Sequence, residues 1–425
     1  MEIQDLYAIF QQHSSIQTDT RKLKPGDLFF ALKGPYFNGN KFARQALDAG
    51  AAYVVIDEDA GFIDDRLISK QDVLITLQEL AGYHRRQFTI PFIAITGSNG
   101  KTTTKELIHE VLSTTYKTYT TKGNLNNHIG IPLTILAIQK DAEIAVIEMG
   151  ANHQKEIEGY CNYTLPTHGI ITNCGKAHLE GFGGIEGVKK GKGELYAYLR
   201  EHDGTAFIMS DYIYLREMSK GIHTIKTYGT ENAEITGLIN HSSQLLEVKI
   251  TDGANINNIE THLVGSYNLP NVLAAVAMGK YFNVEDEKIK MALENYLPSN
   301  SRSQLIEKDG NKIILDAYNA NPSSMKAAIE NFAKMEGQNK ILLLGGMMEM
   351  GNESIAEHKA LIDLISLYTW QQVVLVGGDF NKTAHPYQYF NNSTQAKEWL
   401  QLQYLKNAQL LIKGSRSMQM EKVLE

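Results

Sequence analysis

Cysteine is nearly missing from this chain: its 425 residues include only Cys161 and Cys174. Neither sits in a C-x-x-C pair or a Cys/His metal spacing, so two buried thiols in a reducing compartment are expected. A basic excess is also lacking. The formal net charge is −7, which argues against broad contact with nucleic acid or an anionic membrane surface. No run of about 18 consecutive apolar residues offers a membrane span. The opening MEIQDLYAIF has neither the basic start nor the apolar stretch of a signal peptide. A cytoplasmic protein without nucleic-acid or membrane partners is the expectation. Repeats of solenoid period, heptad seams and low-complexity tails are absent as well.

What is present is ordinary globular material, 43% hydrophobic and 21% charged, too long for one core. Three textures divide it. Residues 1–85 hold short strand-like runs such as DLFFAL and AAYVVID between turn-rich pieces. Over 86–298, apolar strands alternate with helical patterns: PFIAIT with TTTKELIHEVLSTT, EIAVIEMG with HQKEIEGYC, HGIITNCG with IEGVKKGKGELYAYL. Such alternation predicts a parallel sheet with crossover helices. Residues 299–425 restart it through KIILDAY, KILLLGG, QQVVLVGG and AQLLIKGS, a second α/β unit of nucleotide-binding-fold size.

The strongest motif is IAITGSNGKTTTK at residues 93–105. Gly97 and Gly100 let the turn present backbone N–H groups, and the helix that follows adds its positive N-terminal end. Lys101 reaches outer phosphates and the Thr102 hydroxyl suits a phosphate-bound Mg²⁺. Gly97, Ser98, Asn99, Gly100, Lys101, Thr102 and Thr103 are therefore candidate nucleotide-binding residues. The competing reading is a plain glycine-rich turn, because Ile95 stands where the stricter phosphate-loop spacing has glycine.

Other residues carry two readings each. Glu148 closes the apolar strand IAVI and is placed to hold Mg²⁺, or is a solvated strand-end acid. His178 follows another strand, and a lone histidine there reads more readily as a hydrogen-bonded structural residue than as a ligand. Lys192 lies in VKKGKGE, where a solvated helix face is the simpler account. Asn124, Asn126 and Asn127 form a polar loop that turns the chain or binds phosphate or sugar. Asn268 and Asn271 head an apolar helix as caps or base contacts. Asp316 to Pro322 ends a strand in polar residues, and Lys413 with Arg416 flank Ser415 in a pattern that suits an anion.

Together TGSNGKTTTKE, GNLNNHIGIPLT, IEMGANH, NCGKAHLEGFG, the KGE of the lysine helix, GSYNLPN and DAYNANPSSM resemble the Mur ligases of peptidoglycan precursor synthesis, in family order along the whole chain. That family's phosphate loop resembles TGxxGKT and does not need the glycine at 95. DAYNANPSSM, GGMMEMG…H ending at His358, and LIKGSRSM are most similar to the branch that adds D-alanyl-D-alanine. TDTRKLKPGDLFFALKG resembles a uridine-nucleotide-binding module. Gly346 departs from the pattern, where the branch usually has an acid.

The resemblance implies a three-domain α/β protein: 1–85 as an N-terminal uridine-nucleotide-binding module, 86–298 as a central ATPase-like parallel sheet, and 299–425 as a Rossmann-like domain. It implies an ATP-dependent amide ligase with two Mg²⁺ ions, probing UDP-N-acetylmuramoyl-tripeptide and D-alanyl-D-alanine as substrates, and acting as a monomer. Lys101, Glu148, His178 and Lys192 become catalytic; Thr102, Glu148, His178 and a carbamylated Lys192 become metal ligands. Asn268 and Asn271 match adenine contacts, Asp316 a ribose contact and Arg302 a phosphate contact. Thr18, Asp19, Thr20, Arg21 and Lys33 match the uracil side. Asn124, Asn126, Asn127, Asn319, Asn321, Lys413, Ser415 and Arg416 complete the substrate set. Two rivals stay open: a sister ligase adding diaminopimelate or lysine, disfavoured by the lack of D-N-P-R, and a non-catalytic nucleotide-binding subunit.

Overall fold

The computed structural model describes residues 1–242, 244–299 and 301–425. They form two compact units: Met1–Ala94 with Lys117–Gly150 and Glu156–His168, and Ile95–Tyr116 with Ala151–Lys155 and Gly169–Glu425.

In the first unit, strands Ile16–Gln17, Leu28–Phe30, Tyr53–Ile56 and Leu67–Ser69 form a sheet in that order, all pairs parallel. The LFF and YVVI runs are almost wholly buried because both faces of a parallel sheet are covered. Phe29, Val54 and Ile56 pack with Ala43, Ala46 and Leu47 of helix Ala43–Asp48. Helix Val73–Arg85 starts where the Asp72 side chain accepts from the Ile75 amide at 2.8 Å. It packs against helices Gly130–Leu136 and Glu156–Thr164. Its last residue, Arg85, is buried, yet its guanidinium donates to the Thr164, Phe88 and Leu165 carbonyls at 2.8, 2.8 and 3.0 Å. The charge thus satisfies carbonyls left open at the end of helix Glu156–Thr164. Strands Phe92–Thr96, Ile144–Glu148 and Thr118–Thr120 lie side by side in that order.

The second unit holds two sheets. One runs from Ile259–Glu260 through Leu246–Asp252, Ile235–Ser242 and Thr224–Gly229 to Thr205–Met209. Its strands from Thr205 to Thr236 pair parallel, but the outer pairs are antiparallel. Residues 235–260 add an antiparallel extension to the parallel sheet. Helix Leu269–Tyr281 is buried on nearly every side and packs on helix Lys101–Ser113.

The other sheet runs Gln304–Lys308, Asn311–Asp316, Gln409–Lys413, Lys340–Gly345, Gln372–Val376, Gln388–Phe390. All pairs after the first are parallel, with Ile313, Leu315, Leu343, Val374 and Ile412 in the core. Helices Pro322–Lys334, Ser354–Ile365 and Ser393–Gln401 connect the strands.

Candidate active site

The phosphate-loop candidates lie within the second unit. Strand Phe92–Thr96 ends in Gly97 and the turn reaches Gly100, which starts helix Lys101–Ser113 in the left-handed conformation, φ 80°. A Cβ at Gly97 would stand 2.0 Å from Thr172 Oγ1, and one at Gly100 2.6 Å from Asn271 Oδ1. Both glycines are required by close approach. The turn is pinned from the neighbouring strand end. Asn173 accepts at its carbonyl from the Ser98 amide (2.9 Å) and at Oδ1 from the Asn99 amide (3.1 Å). Thr172 Oγ1 and Asn173 Nδ2 donate to the Asn99 carbonyl at 2.6 and 3.0 Å, and Ser98 Oγ donates to the Gly175 carbonyl. Lys101 Nζ donates to the Gly97 carbonyl at 2.8 Å, curled over its own loop. Thr102 is buried and Thr103 half-buried at the first helical turn. Ile95 is fully buried in the strand, which is where a glycine-rich turn has not yet begun.

Asn268 and Asn271 sit behind this loop, and neither caps its helix with its side chain. Asn268 Nδ2 donates to the Val264 carbonyl, Asn271 Nδ2 to Asn268 Oδ1 at 2.8 Å, and Thr104 Oγ1 to Asn271 Oδ1 at 3.0 Å. The capping account is corrected to a buried amide relay that carries the helix start to Gly100.

Lys192 overturns the solvated-face reading. It is 1% exposed, its Nζ donates to the Ala151 carbonyl at 3.0 Å, and it lies 4.9 Å over the Phe182 ring. His178 adopts a left-handed backbone and its Nδ1 is hydrogen-bonded to Glu349 Oε2. That hydrogen bond holds the Glu349 carboxyl below its usual value. Burial pushes the nearby Cys174 thiol up to about 12, so it is an inert apolar residue.

Within the first unit Glu148 is 1% exposed at its strand end, where its amide donates to Thr121 Oγ1 and Oε1 accepts from Asn126 Nδ2 at 2.7 Å. The solvated-acid account fails. Asn127 turns the chain, its Oδ1 accepting from the Gly130 amide at 2.9 Å, and Asn124 is exposed. Thr18 and Thr20 are half-buried; Asp19 caps the following turn and grips Arg21 at 2.7 Å. Arg21 holds the Asp19 carboxyl down at about 2. Lys33 Nζ lies between Asp57 (3.2 Å) and Glu58 (3.3 Å).

The C-terminal candidates are largely engaged with one another. Lys413 is 2% exposed and bonds Asp316 Oδ2 at 2.6 Å, while Arg416 pairs with Glu421. Each of these two cations thus has a carboxylate partner. Ser415 is buried and accepts from the Met348 amide, and Asn319 is exposed. Arg302 stacks 3.4 Å over the Tyr318 ring. Asn321 caps helix Pro322–Lys334 and donates to Asn99 Oδ1 of the candidate phosphate loop at 2.7 Å. A Cβ at Gly346 would meet the Gly378 Cα at 2.5 Å, so no acid fits there. His358 is fully buried and accepts the Met347 amide, a structural post for that loop. Among the described residues no group of three or more His, Cys, Asp or Glu is arranged to hold a metal.

Sequence reasoning passed over Thr172, Asn173, Lys176, Ser323, Glu349 and Glu357. For all but Glu357 the signal was the motif context of TNCGKAH, NPSSM and MEMG; pairings between residues 73 to 181 positions apart left no local trace.

The Mur ligase middle domain model matches residues 95–279, the Mur ligase glutamate ligase domain 301–416, and the Mur ligase family catalytic domain 13–81. The chain is 36% identical over 423 residues to the UDP-N-acetylmuramoyl-tripeptide--D-alanyl-D-alanine ligase of Bacillus subtilis, covering 96% of this chain and 92% of that protein. The chain belongs to the Mur ligase family. The Escherichia coli ligase of the same name is 35% identical, again over 96% of this Mur ligase and 92% of its own length. Among solved structures, MurF from Acinetobacter baumannii superposes with a TM-score of 0.89 at 30% identity, covering 99% of this chain and 97% of that one. MurF from Thermotoga maritima, solved in complex with ADP, shares the fold at TM-score 0.88 and 24% identity, covering 97% and 96%.

Proposed function

We propose that this Mur ligase joins D-alanyl-D-alanine to UDP-N-acetylmuramoyl-tripeptide, converting ATP to ADP and phosphate, in the synthesis of peptidoglycan precursors. The near-full-length likeness to ligases of that name carries the reading. The pinned phosphate loop fits a nucleotide: amides at a helix start, a curled lysine, and a hydroxyl at Thr102. The tripeptide's terminal carboxylate takes the γ-phosphoryl group, and the dipeptide amine then displaces phosphate from the acyl phosphate. Lys101 uncurls to stabilise charge on the transferred group, the dominant contribution in such reactions. Gly97, Ser98, Asn99, Gly100 and Thr103 cradle the phosphates. Asn268, Asn271, Asp316 and Arg302 serve the rest of the nucleotide, and Asn124, Asn126, Asn127, Asn319, Asn321, Lys413, Ser415 and Arg416 the peptide substrates. Thr18, Asp19, Thr20, Arg21 and Lys33 serve the uridine.

The same reading assigns Thr102, Glu148, His178 and a carbamylated Lys192 to two Mg²⁺ ions, with support from hydroxyl, carboxylate and imidazole donors of the right kinds. When bound, the ions neutralise phosphate charge. Three functional domains at 1–85, 86–298 and 299–425, a cytoplasmic site of action and a monomeric state belong to it too. Among the described residues no helix is long and apolar enough to cross a membrane.

The test is a product analysis with ATP, Mg²⁺, UDP-muramoyl tripeptides and a panel of amino acids and dipeptides. Phosphate release that requires both the tripeptide and D-alanyl-D-alanine, with the condensed product by mass, is expected. Addition of a single diamino acid to a shorter precursor would make the chain a sister ligase. Nucleotide binding without dependent turnover would make it a binding subunit.

A further inference from the structure

His178 and Glu349 are 171 positions apart, yet the imidazole Nδ1 meets the Glu349 carboxylate. Both residues hold left-handed backbones, φ 51° and 61°, although neither is glycine. Such conformations persist only where the surroundings over-determine them. Those surroundings are specific. The Glu180 amide donates to the Glu349 carbonyl at 3.4 Å. Two residues before His178, the Lys176 amide donates to Ser323 Oγ at 2.9 Å and Lys176 Nζ to Glu357 at 2.5 Å. Residues 173–178 are therefore tied to the phosphate loop through Asn173 and Ser98, and to the C-terminal sheet's helices and loops through Ser323, Glu349 and Glu357.

A neutral imidazole carries one N–H. When a carboxylate accepts it at Nδ1, the tautomer is fixed and Nε2 keeps a lone pair for another partner. We propose that Glu349 is a positioning residue for His178, holding it as the Nδ1-protonated tautomer, so that the histidine is ready only when the Glu349 segment is seated against it. The inference rests on the proposed role of His178 in the ligase reaction.

Full-length protein labelled with ¹⁵N-histidine, with His178→Gln to identify the signal, reports the tautomer directly. The wild type is expected to show Nδ1 protonated, and Glu349→Ala to move His178 toward the Nε2-protonated form. Glu349→Gln, nearly isosteric, is expected to keep the fold while lowering kcat about 10- to 100-fold and raising the half-saturating Mg²⁺, with little change in KM for ATP. In a His178→Gln background, Glu349→Gln should add almost nothing. An unchanged His178 signal in Glu349→Ala, or a full further loss in that background, would overturn the positioning role. A wild type that shows no tripeptide-dependent turnover would instead sink the ligase reading, while the tautomer measurement still decides the contact.

Discussion

At the scale of single residues, burial decides which polar groups matter. Lys101 is only half-buried and bonds its own loop, so Lys101→Ala should leave the thermal midpoint nearly unchanged while lowering turnover on the order of 10³-fold. Parallel melting curves and phosphate-release rates check both halves. Lys192 is the opposite case, a lysine sealed from solvent among Ala151 and Phe182. If it carries a carbamate, protein equilibrated with ¹³C-bicarbonate gives a carbamate carbon signal that Lys192→Ala removes together with activity. Lys189, half-buried and paired with Glu186, and the exposed Lys190 of the same helix should tolerate alanine within about 0.5 kcal/mol. A retained signal in Lys192→Ala would place the adduct elsewhere. Gly346 belongs here too. Restoring an acid by Gly346→Asp forces a side chain against Gly378, and a loss of about 1–3 kcal/mol in denaturant unfolding is expected.

Elements explain why some of the fold was legible and some was not. The strands of the C-terminal sheet announce themselves as KIILDAY, KILLLGG, QQVVLVGG and AQLLIKGS because continuous apolar runs are what a sheet covered on both faces requires. The hairpin between Gln304–Lys308 and Asn311–Asp316 went unread despite its Asp309-Gly310 turn, in which both residues have positive φ. Its first strand is only half-buried, so the apolar signal is weak. The 235–260 strands were missed for a similar reason: in Leu246–Asp252 burial alternates with exposure instead of running continuously. Helix Pro322–Lys334 shows an element serving two ends. Asn321 accepts from the Ser324 amide and donates to Asn99. Asn321→Ala should cost about 1 kcal/mol for the lost cap and also weaken nucleotide binding, whereas Asn321→Asp should keep the cap alone. Unfolding and nucleotide titrations on both variants separate the two effects.

On the scale of the whole molecule, a buried titratable group sets part of the response to pH. Burial lowers the His168 imidazole to about 4, against about 6.5 when unfolded. The unfolded chain therefore binds the proton first. Stability from this group is complete above pH 6.5, falls as pH drops from there toward 4, and amounts to roughly 3 kcal/mol once lost. Urea midpoints between pH 7 and 5 should fall more steeply for the wild type than for His168→Gln; equal slopes would remove His168 from the account. Sequence by itself determined the α/β class and the order of motifs that marks the family, and it located the glycine turn between an apolar strand and a helix, because such a turn is a local pattern. Only the tertiary structure decided that Lys192 and Glu148 are buried, that Lys413 and Arg416 are already neutralised, that Gly346 faces Gly378, and that Glu349 meets His178. Apart from the local Arg416–Glu421 pair, those facts depend on chain segments far apart in sequence, and burial, pairing and close approach acquire meaning only once the segments pack.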